Sequence, residues 1–191
     1  SCHKSKVQKI IFASSVYVYS DSGGFYRATK QASEMLLREY AKKFDQRYSI
    51  LRYGSLYGPR SPDWNGLKKY IRTILENEAI IYKGTGEEKR EYIHIADAAL
   101  MTVDAIDCKY DGQCLLLTGQ QSLRSKDVLQ LIFEIIGLRE NIKFNVDAID
   151  PAHYRTTPYK FEKQRAIKVN PTSHIDFGQG ILEMIHELTR N

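Results

Sequence analysis

The sequence predicts an α/β fold that contains part of a parallel sheet, and three segments carry this prediction. An apolar run over 8–13 is typical of a buried parallel strand, a helical pattern follows over 25–44, and a second strand-like run occupies 48–53. A strand, a helix and a strand in this order form the crossover of a parallel sheet. The carboxyl ends of both strands therefore lie at one edge, where ligands bind in open α/β sheets.

Each predicted element follows from a local pattern. The helix over 25–44 has apolar residues three and four positions apart, which predicts the face that packs on the sheet. Its members are Ala28, Ala32, Met35, Leu36, Tyr40 and Phe44. Further helices are predicted over 66–77, 95–106, 125–136 and 180–189, and further strands over 79–82, 113–118 and 142–146. Ser125 is predicted to cap its helix and Gly137 to end it. The polar, aromatic stretch 153–159 is interpreted either as the wall of a pocket or as a surface loop.

Composition limits the class of protein. Hydrophobic residues make up 42% of the 191 residues, which is enough for a core, and no apolar run approaches the about 20 residues of a membrane span. The net charge of +5 favours an anionic ligand, but no basic stripe with stacking aromatics indicates nucleic-acid binding. Three cysteines without paired spacing indicate a reducing compartment, so we expect a cytoplasmic location. The histidines show no metal-ligand spacing, so we expect no metal.

A candidate proton-transfer centre lies just after the first strand. Tyr26 and Lys30 are one helical turn apart, so their side chains share a face of the helix. A free tyrosine has a pKa of about 10, and a neighbouring ammonium group lowers it, which makes a phenolate base accessible. Ser15, where the first strand ends, can hold a substrate hydroxyl against that phenolate. The spacing alone also suits an exposed pair of helix residues.

Four segments, taken in order, resemble the extended short-chain dehydrogenase/reductase family, also called the NAD-dependent epimerase/dehydratase family. They are FASS at 12–15 with VY at 18–19, YRATK at 26–30, LRY at 51–53 with YGPR at 57–60, and GTGE at 84–87 followed by REYIHIAD at 90–97. The resemblance implies a Rossmann-like sheet, of which residues 1–60 form the carboxyl-terminal part. It also implies that residues 61–191 form a smaller substrate-binding region with segments that return to the sheet.

The resemblance also implies roles for individual residues. Ser15, Tyr26 and Lys30 would be catalytic, and Tyr26, Lys30 and Tyr53 would bind NAD or NADP. The substrate, a nucleotide-sugar, would contact a set of polar and basic side chains. These are Ser15, Ser55, Arg60 and Arg90, of which Arg90 would grip the diphosphate with its planar guanidinium.

The sequence departs from the family pattern at several places. The glycine-rich turn that holds the dinucleotide pyrophosphate is absent, so we expect a carboxyl-terminal portion that supplies only the nicotinamide end of the site and is inactive alone. Ser55 stands where members that act on nucleotide-sugars commonly have asparagine. The loop before Tyr26 is short, which predicts an open site. Val16 and Tyr17 replace the Asp-Glu pair of dehydratases, and neither can do the work of a carboxyl pair.

The sequence therefore predicts an NAD(P)-dependent sugar-nucleotide epimerase or oxidoreductase. The alternative is a non-catalytic binding or scaffolding module with the same fold, which the missing turn favours and the retained Ser15, Tyr26 and Lys30 oppose. Family members commonly dimerise through the helix that carries the tyrosine. We therefore expect a homodimer, with Leu37 and Ala41 on the exposed apolar face of that helix.

Overall fold

The computed structural model describes residues 2–148, 156, 166–171 and 173–189, and it confirms the predicted α/β class with a parallel sheet. The strands are β1 (Lys9–Ser15), β2 (Arg47–Tyr53), β3 (Ser55–Tyr57), β4 (Ile80–Lys83), β5 (Lys89–His94), β6 (Gln113–Leu117), β7 (Ser122–Arg124), β8 (Ile142–Asn145) and β9 (Ile167–Lys168). The helices are α1 (Gly24–Phe44), α2 (Gly66–Asn77), α3 (Ile95–Asp104), α4 (Ser125–Ile136) and α5 (Phe177–Thr189).

The main sheet has the strand order β1-β2-β6-β9, and each neighbouring pair is parallel. Ser15 pairs with Tyr53, and Tyr53 in turn pairs with Leu117, so the first three strands end at the same level. A second sheet has the order β3-β5-β7, and β4 pairs with β8 in a third. Because β3 follows β2 after a single residue, the second sheet begins at the carboxyl end of the first.

Strand β2 shows how the main sheet is covered on both faces. Successive side chains of a strand point to opposite faces. Arg52 contacts Glu34 of α1, whereas the next residue, Tyr53, forms a hydrogen bond with Thr102 of α3. Helices α1 and α3 therefore lie on opposite faces of the sheet. Both faces being covered explains why β2 is buried along most of its length.

The predicted packing face of α1 is wrong. Met35 is 66% exposed and Leu36 71% exposed, and Ala28 and Ala32 are exposed as well. Ala41, which was expected on the exposed face, is buried. The face that meets the sheet is instead mostly polar, with residues again three and four positions apart. Its members are Arg27, Gln31, Glu34 and Arg38, each of which forms a hydrogen bond to another part of the chain or to a member of the same face.

A buried ion pair explains this inverted orientation. Arg52 is 2% exposed, and its guanidinium binds both carboxylate oxygens of Glu34, with Nε–Oε1 at 2.9 Å and Nη2–Oε2 at 2.6 Å. Ser14 donates to Oε1 at 2.6 Å, Arg38 donates to Oε2 at 3.1 Å, and Arg52 also donates to the hydroxyl of Tyr19. A buried charge left without a partner costs more than the apolar contacts that α1 gives up. The polar and charged face of α1 therefore packs against the sheet.

The pKa of Glu34 reflects this environment. Burial alone would raise the pKa of the carboxyl group, but the hydrogen bonds from Arg52 and Ser14 and the positive charges of Arg52 and Arg38 outweigh it. The pKa is held below the ordinary value for glutamate. Glu34 is therefore an ionised carboxylate at neutral pH, and α1 is joined to β1 and β2 by charge-assisted hydrogen bonds.

A separate apolar core lies away from the main sheet. It joins α2, α4, α5 and β4 through a group of buried side chains. Among them are Leu67, Ile71, Ile74, Ile80, Leu129, Ile132, Phe133 and Ile181. Strands β6 and β9, by contrast, return from the later part of the chain to the main sheet. The division of the chain at residues 60 and 61 into two regions stays a prediction.

Several local predictions can be compared with the structure. Helix α2 has the predicted bounds, and Gly137 ends α4 with a left-handed φ of 82°. The prediction for Ser125 is wrong, since Arg124 stands at the cap position and Ser125 is the first residue of α4. The hydroxyl of Ser125 accepts from the hydroxyl of Tyr82 and donates to the carbonyl oxygen of Glu88. Apart from residue 156, the stretch 153–159 lies outside the described residues. Within the described part of the chain, no helix is long and apolar enough to cross a membrane.

The buried ion pair predicts a large effect of removing Glu34. Glu34→Ala leaves the guanidinium of Arg52 buried without its carboxylate, and breaking such a pair costs about 3–5 kcal/mol. The neighbouring variant Met35→Ala removes an exposed side chain of α1, so we expect it to change the free energy of unfolding by less than about 0.5 kcal/mol. Urea unfolding followed by circular dichroism measures both.

The same ion pair predicts that the free energy of unfolding depends on pH. Because folding lowers the pKa of Glu34, its contribution to stability is present above the ordinary pKa of glutamate and is lost as the pH falls through the lowered value. The free energy of unfolding should therefore depend less on pH in the acidic range for Glu34→Ala than for the unmodified chain. Equal stability of Glu34→Ala and Met35→Ala at neutral pH would contradict this account of the ion pair.

Candidate active site

A cleft of about 1340 Å³ lies where the carboxyl ends of β1 and β2 meet the second sheet. The structure brings every residue that the sequence singled out to the wall of this cleft. They are Ser15, Tyr26, Lys30, Tyr53, Ser55, Arg60 and Arg90. Because these residues come from β1, α1, β2, β3, β5 and the loop after β3, the fold assembles one site from distant parts of the chain.

The two serines at the end of β1 have different surroundings. Ser14 donates its hydroxyl proton to the buried carboxylate of Glu34. Ser15, one residue later, has extended backbone dihedrals and caps a short 3₁₀ helix, since its Oγ accepts a hydrogen bond from the backbone N–H of Tyr17 at 3.3 Å. This bond uses Oγ of Ser15 only as an acceptor. The proton of the Ser15 hydroxyl therefore remains available for a ligand in the cleft.

Tyr26 and Lys30 lie on the cleft side of α1. Tyr26 is 52% exposed, and its ring meets the ring of Tyr17 edge to face, with centroids 5.9 Å apart. The ammonium nitrogen of Lys30 lies 5.8 Å from the ring centroid of Tyr26 and donates to the carbonyl oxygen of Ala13 at 2.8 Å. The bond to β1 fixes the cation beside the phenol ring. An ammonium group has three protons, so it can also donate to a ligand.

The remaining predicted residues come from β2, β3 and β5. The hydroxyl of Thr102 donates to the carbonyl oxygen of Ala98, so the hydroxyl of Tyr53 donates to Thr102 across 2.5 Å. That hydroxyl is thus bound to α3, although Tyr53 still lines the cleft. Ser55 begins β3, where it pairs in parallel with Tyr92 of β5.

Positive charge dominates the wall of the cleft. Five basic side chains line it, whereas Glu88 is its only carboxylate among the described residues. The basic residues are Lys30, Arg60, Lys69, Lys83 and Arg90. Burial alone would raise the pKa of Glu88, but hydrogen bonds from the loop of Thr85 and Gly86 hold it below the ordinary value. The carboxylate of Glu88 is therefore ionised and occupied by its own loop, and the cleft suits an anionic ligand.

Burial disfavours three further tyrosines of the cleft wall as bases. Burial raises the pKa of Tyr70 to about 12, with the neighbouring Tyr82 adding to the shift and Arg90 opposing it. Burial likewise raises the pKa values of Tyr57 and Tyr82. These phenols stay protonated at neutral pH. Tyr26, by contrast, is half exposed in the cleft, and the ammonium group of Lys30 lies beside its ring.

The structure also reveals residues of the cleft that the sequence reasoning missed. Trp64, Lys69 and Lys83 line the cleft, although the patterns of the sequence gave them no role. The sequence does contain a feature that could have identified Trp64, because it is the only tryptophan and lies in a polar turn between Pro62 and Gly66. No group of three or more potential metal ligands stands together in the described part of the chain.

The chain is similar to known proteins. The model of the NAD dependent epimerase/dehydratase family matches residues 1–113. An uncharacterized UDP-glucose epimerase, YtcB, of Bacillus subtilis is 24% identical over 76% of this chain and 50% of its own length. A UDP-N-acetyl-alpha-D-glucosaminuronate decarboxylase of Bacillus cytotoxicus is 28% identical over 67% of this chain and 46% of its own. The chain thus spans about half the length of these curated relatives.

Solved structures show the same fold. The UDP-glucuronic acid 4-epimerase of Bacillus cereus, in complex with UDP-glucuronic acid and NAD, superposes with a TM-score of 0.82 at 22% identity. The superposition covers 99% of this chain and 64% of the epimerase. At this identity the likeness shows a shared fold.

Gly23, which directly precedes α1, packs closely against the ring of Tyr17. A side chain at this position should therefore disturb the tyrosines of the cleft. Its φ of 100° is unfavourable for a side chain, and an added Cβ would lie 2.6 Å from Cδ1 of Tyr17. Gly23→Ala should therefore displace the ring that contacts Tyr26 and destabilise the chain by about 1–3 kcal/mol. Urea unfolding measures the loss, and near-ultraviolet circular dichroism detects the displaced tyrosines.

Gly24→Ala is the matched control. Gly24 also has a positive φ, of 47°, but nothing lies within 4 Å of an added Cβ. We expect a backbone cost of about 1–2 kcal/mol at most and an unchanged near-ultraviolet spectrum. If the spectra of both variants matched that of the unmodified chain, the contact between Gly23 and Tyr17 would not position the ring.

Proposed function

The chain belongs to the NAD-dependent epimerase/dehydratase family, and from this premise we propose that its protein is an NAD(P)-dependent nucleotide-sugar epimerase or oxidoreductase. One observation carries the proposal: all seven residues predicted from the sequence line the same cationic cleft. Because the chain spans about half the length of its curated relatives, the activity of the whole protein is part of this proposal.

The residues present suit the nicotinamide end of a dinucleotide. Lys30 is fixed by β1 beside Tyr26, and its remaining ammonium protons are the donors that ribose hydroxyls need. Tyr26 would offer its hydroxyl on the same helix face, and Tyr53 lines the cleft nearby. When bound, NAD or NADP would supply a nicotinamide ring that accepts a hydride and can also return it.

The protons of the reaction would be handled by the side chains of this chain. Tyr26, as the phenolate, would take the proton of a sugar hydroxyl and return it after the sugar carbon has been oxidised and reduced. Ser15 would hold that hydroxyl by donating from Oγ, because the backbone N–H of Tyr17 already fixes the orientation of Oγ. Lys30 would stabilise the phenolate by its charge and would hold the cofactor.

The rest of the nucleotide-sugar would bind along the basic wall. Arg90 on β5 and Arg60 in the loop after β3 would bind the diphosphate, since a guanidinium can form two parallel hydrogen bonds to phosphate oxygens. The backbone N–H of Arg60 donates to Glu187 at 2.7 Å, which ties this loop to α5 and fixes the start of the Arg60 side chain. Ser55 would contact the sugar from the start of β3.

The cleft favours epimerisation or simple oxidation and reduction over dehydration. Elimination of water requires a general acid for the leaving hydroxyl and a base for a carbon-bound proton. Val16 is buried, Tyr17 has no carboxyl group, and Glu88 is held by its own loop. Among the described residues that line the cleft, no second carboxylate could do this work.

A homodimer and a cytoplasmic location belong to the same proposal. The exposed face of α1 is apolar, with Phe25 92%, Met35 66% and Leu36 71% exposed, and small Ala28 and Ala32 between them. Such a face would be covered when two copies pack helix against helix. The three cysteines are free thiols, which suits a reducing compartment.

Tyr26→Phe tests the proposed chemistry in the intact protein. It removes the proton acceptor and keeps the ring that packs on Tyr17, so turnover of a nucleotide-sugar should fall about 10²–10⁴-fold. Lys30→Ala should lower turnover and also weaken cofactor binding. Ser15→Ala should be milder, because it removes one hydrogen bond. Steady-state kinetics measure all three, with circular dichroism as the control for folding. Near wild-type turnover of Tyr26→Phe would refute Tyr26 as the acid/base.

Leu36→Glu tests the proposed dimer. A charge on the exposed face of α1 would be buried without a partner in a helix-to-helix interface, so sedimentation should show monomers where the unmodified protein forms dimers. Leu100→Glu is the matched control, because Leu100 is a 59% exposed leucine on α3, on the other face of the sheet. Dissociation by Leu100→Glu but not by Leu36→Glu would place the interface elsewhere.

A further inference from the structure

Trp64 is a large aromatic side chain that the fold leaves outside its core. It is the only tryptophan of the chain and is 77% exposed. Most tryptophans bury much of their surface, so a highly exposed one that lines a cleft needs an explanation. The apolar residues on the outer face of α1 do not line the cleft, whereas Trp64 does, together with the candidate catalytic residues.

The backbone on both sides of Trp64 is held firmly. The carboxylate of Asp63 pairs with Lys68 at 3.1 Å and with Arg72 at 3.0 Å, both on α2. Asn65 caps α2, because its Oδ1 accepts from the backbone N–H of Lys68 at 3.1 Å, and its own N–H donates to Pro62 at 2.9 Å. The backbone that carries the indole is thus anchored to α2, which lowers the backbone entropy lost when the indole binds a ligand.

One further hydrogen bond links the turn that carries Trp64 to the strand that begins with Ser55. The side-chain amide of Asn65 donates to the carbonyl oxygen of Leu56 at 3.0 Å, which holds this turn against β3. Leu56 follows Ser55, the residue of β3 that would contact the sugar. The turn is thus attached beside the proposed sugar contact.

We propose that Trp64 is the stacking platform for the sugar ring of the substrate, an inference that rests on the proposed nucleotide-sugar function. One face of a pyranose ring presents mainly C–H groups, and an indole offers a flat apolar surface of matching size. The polar contacts of Ser15 and Ser55 would hold hydroxyl groups, while Trp64 covers the apolar face. Binding sites commonly combine such a surface with a few polar groups in this way.

The single tryptophan provides a direct measurement. Emission of the chain, excited where uridine does not absorb, reports on Trp64 alone. UDP-glucose should change this emission, and UDP, which lacks the sugar, should leave it nearly unchanged. Calorimetry measures binding of the same two ligands independently of tryptophan. Trp64→Ala should weaken the binding of UDP-glucose about threefold to tenfold and leave the binding of UDP unchanged.

Two variants separate stacking from general effects. Trp64→Phe keeps a flat ring and should bind UDP-glucose with nearly wild-type affinity by calorimetry. Leu100→Ala removes a 59% exposed apolar side chain that does not line the cleft, so it should change neither emission nor affinity.

Four results would overturn the proposal. Equal affinity of Trp64→Ala and the unmodified chain for UDP-glucose would show that the indole does not contact the ligand. An equal emission change with UDP would assign the contact to the base or the diphosphate. A change with protein concentration alone would show that a second copy covers Trp64. If calorimetry on the intact protein detected no binding of UDP-glucose or UDP, the function proposed for these UDP ligands would fail as well, whereas the first three results leave that function standing.

Discussion

The ion pair between Glu34 and Arg52 determines how the first half of the chain is arranged. Both charges are buried on the sheet, and each needs the other to offset the loss of its hydration. One partner stands on α1 and the other on β2, so the pair fixes the rotation of α1 about its axis. That rotation brings Lys30 to the carbonyl oxygen of Ala13 and directs Tyr26 into the cleft. The same rotation leaves the apolar side of the helix outside.

The electrostatics of the cleft depend on this ion pair. Glu34 neutralises Arg52 within the sheet, so the positive field of the cleft comes from side chains on its wall. Lys30 stands at the end near β1, whereas Arg90 comes from β5. The cation beside the phenol and the cations that we propose for a diphosphate are thus separate groups. Neither role weakens the other, since each has its own anchoring strand.

The sequence predicted those elements whose patterns are complete within one segment. The apolar run of β1 and the helix α2 could be predicted from hydrophobic period, and the crossover rule placed Ser15 and the loop after β2 at one edge of the sheet. The roles of Arg60 and Arg90 were predicted only from the resemblance to the family. The orientation of α1 could not be predicted in this way, because it depends on Arg52, which lies on strand β2. Strands β3 and β7 have three residues each and form by pairing with β5. No local sequence pattern predicts this pairing. Trp64 was missed for a similar reason, since only the folded loop brings it to the cleft.

The order of the site residues along the chain has an evolutionary consequence. Ser15, Tyr26, Lys30 and Tyr53 lie within one continuous unit, from β1 through α1 to β2. Arg60, Trp64 and Arg90 lie in the segment that separates β2 from β6. Substitutions and insertions in that later segment would alter which ligand is recognised without touching the groups that move protons. In the proposed function, catalysis and recognition are therefore modular along this chain, so that new specificity could be acquired without rebuilding the chemistry.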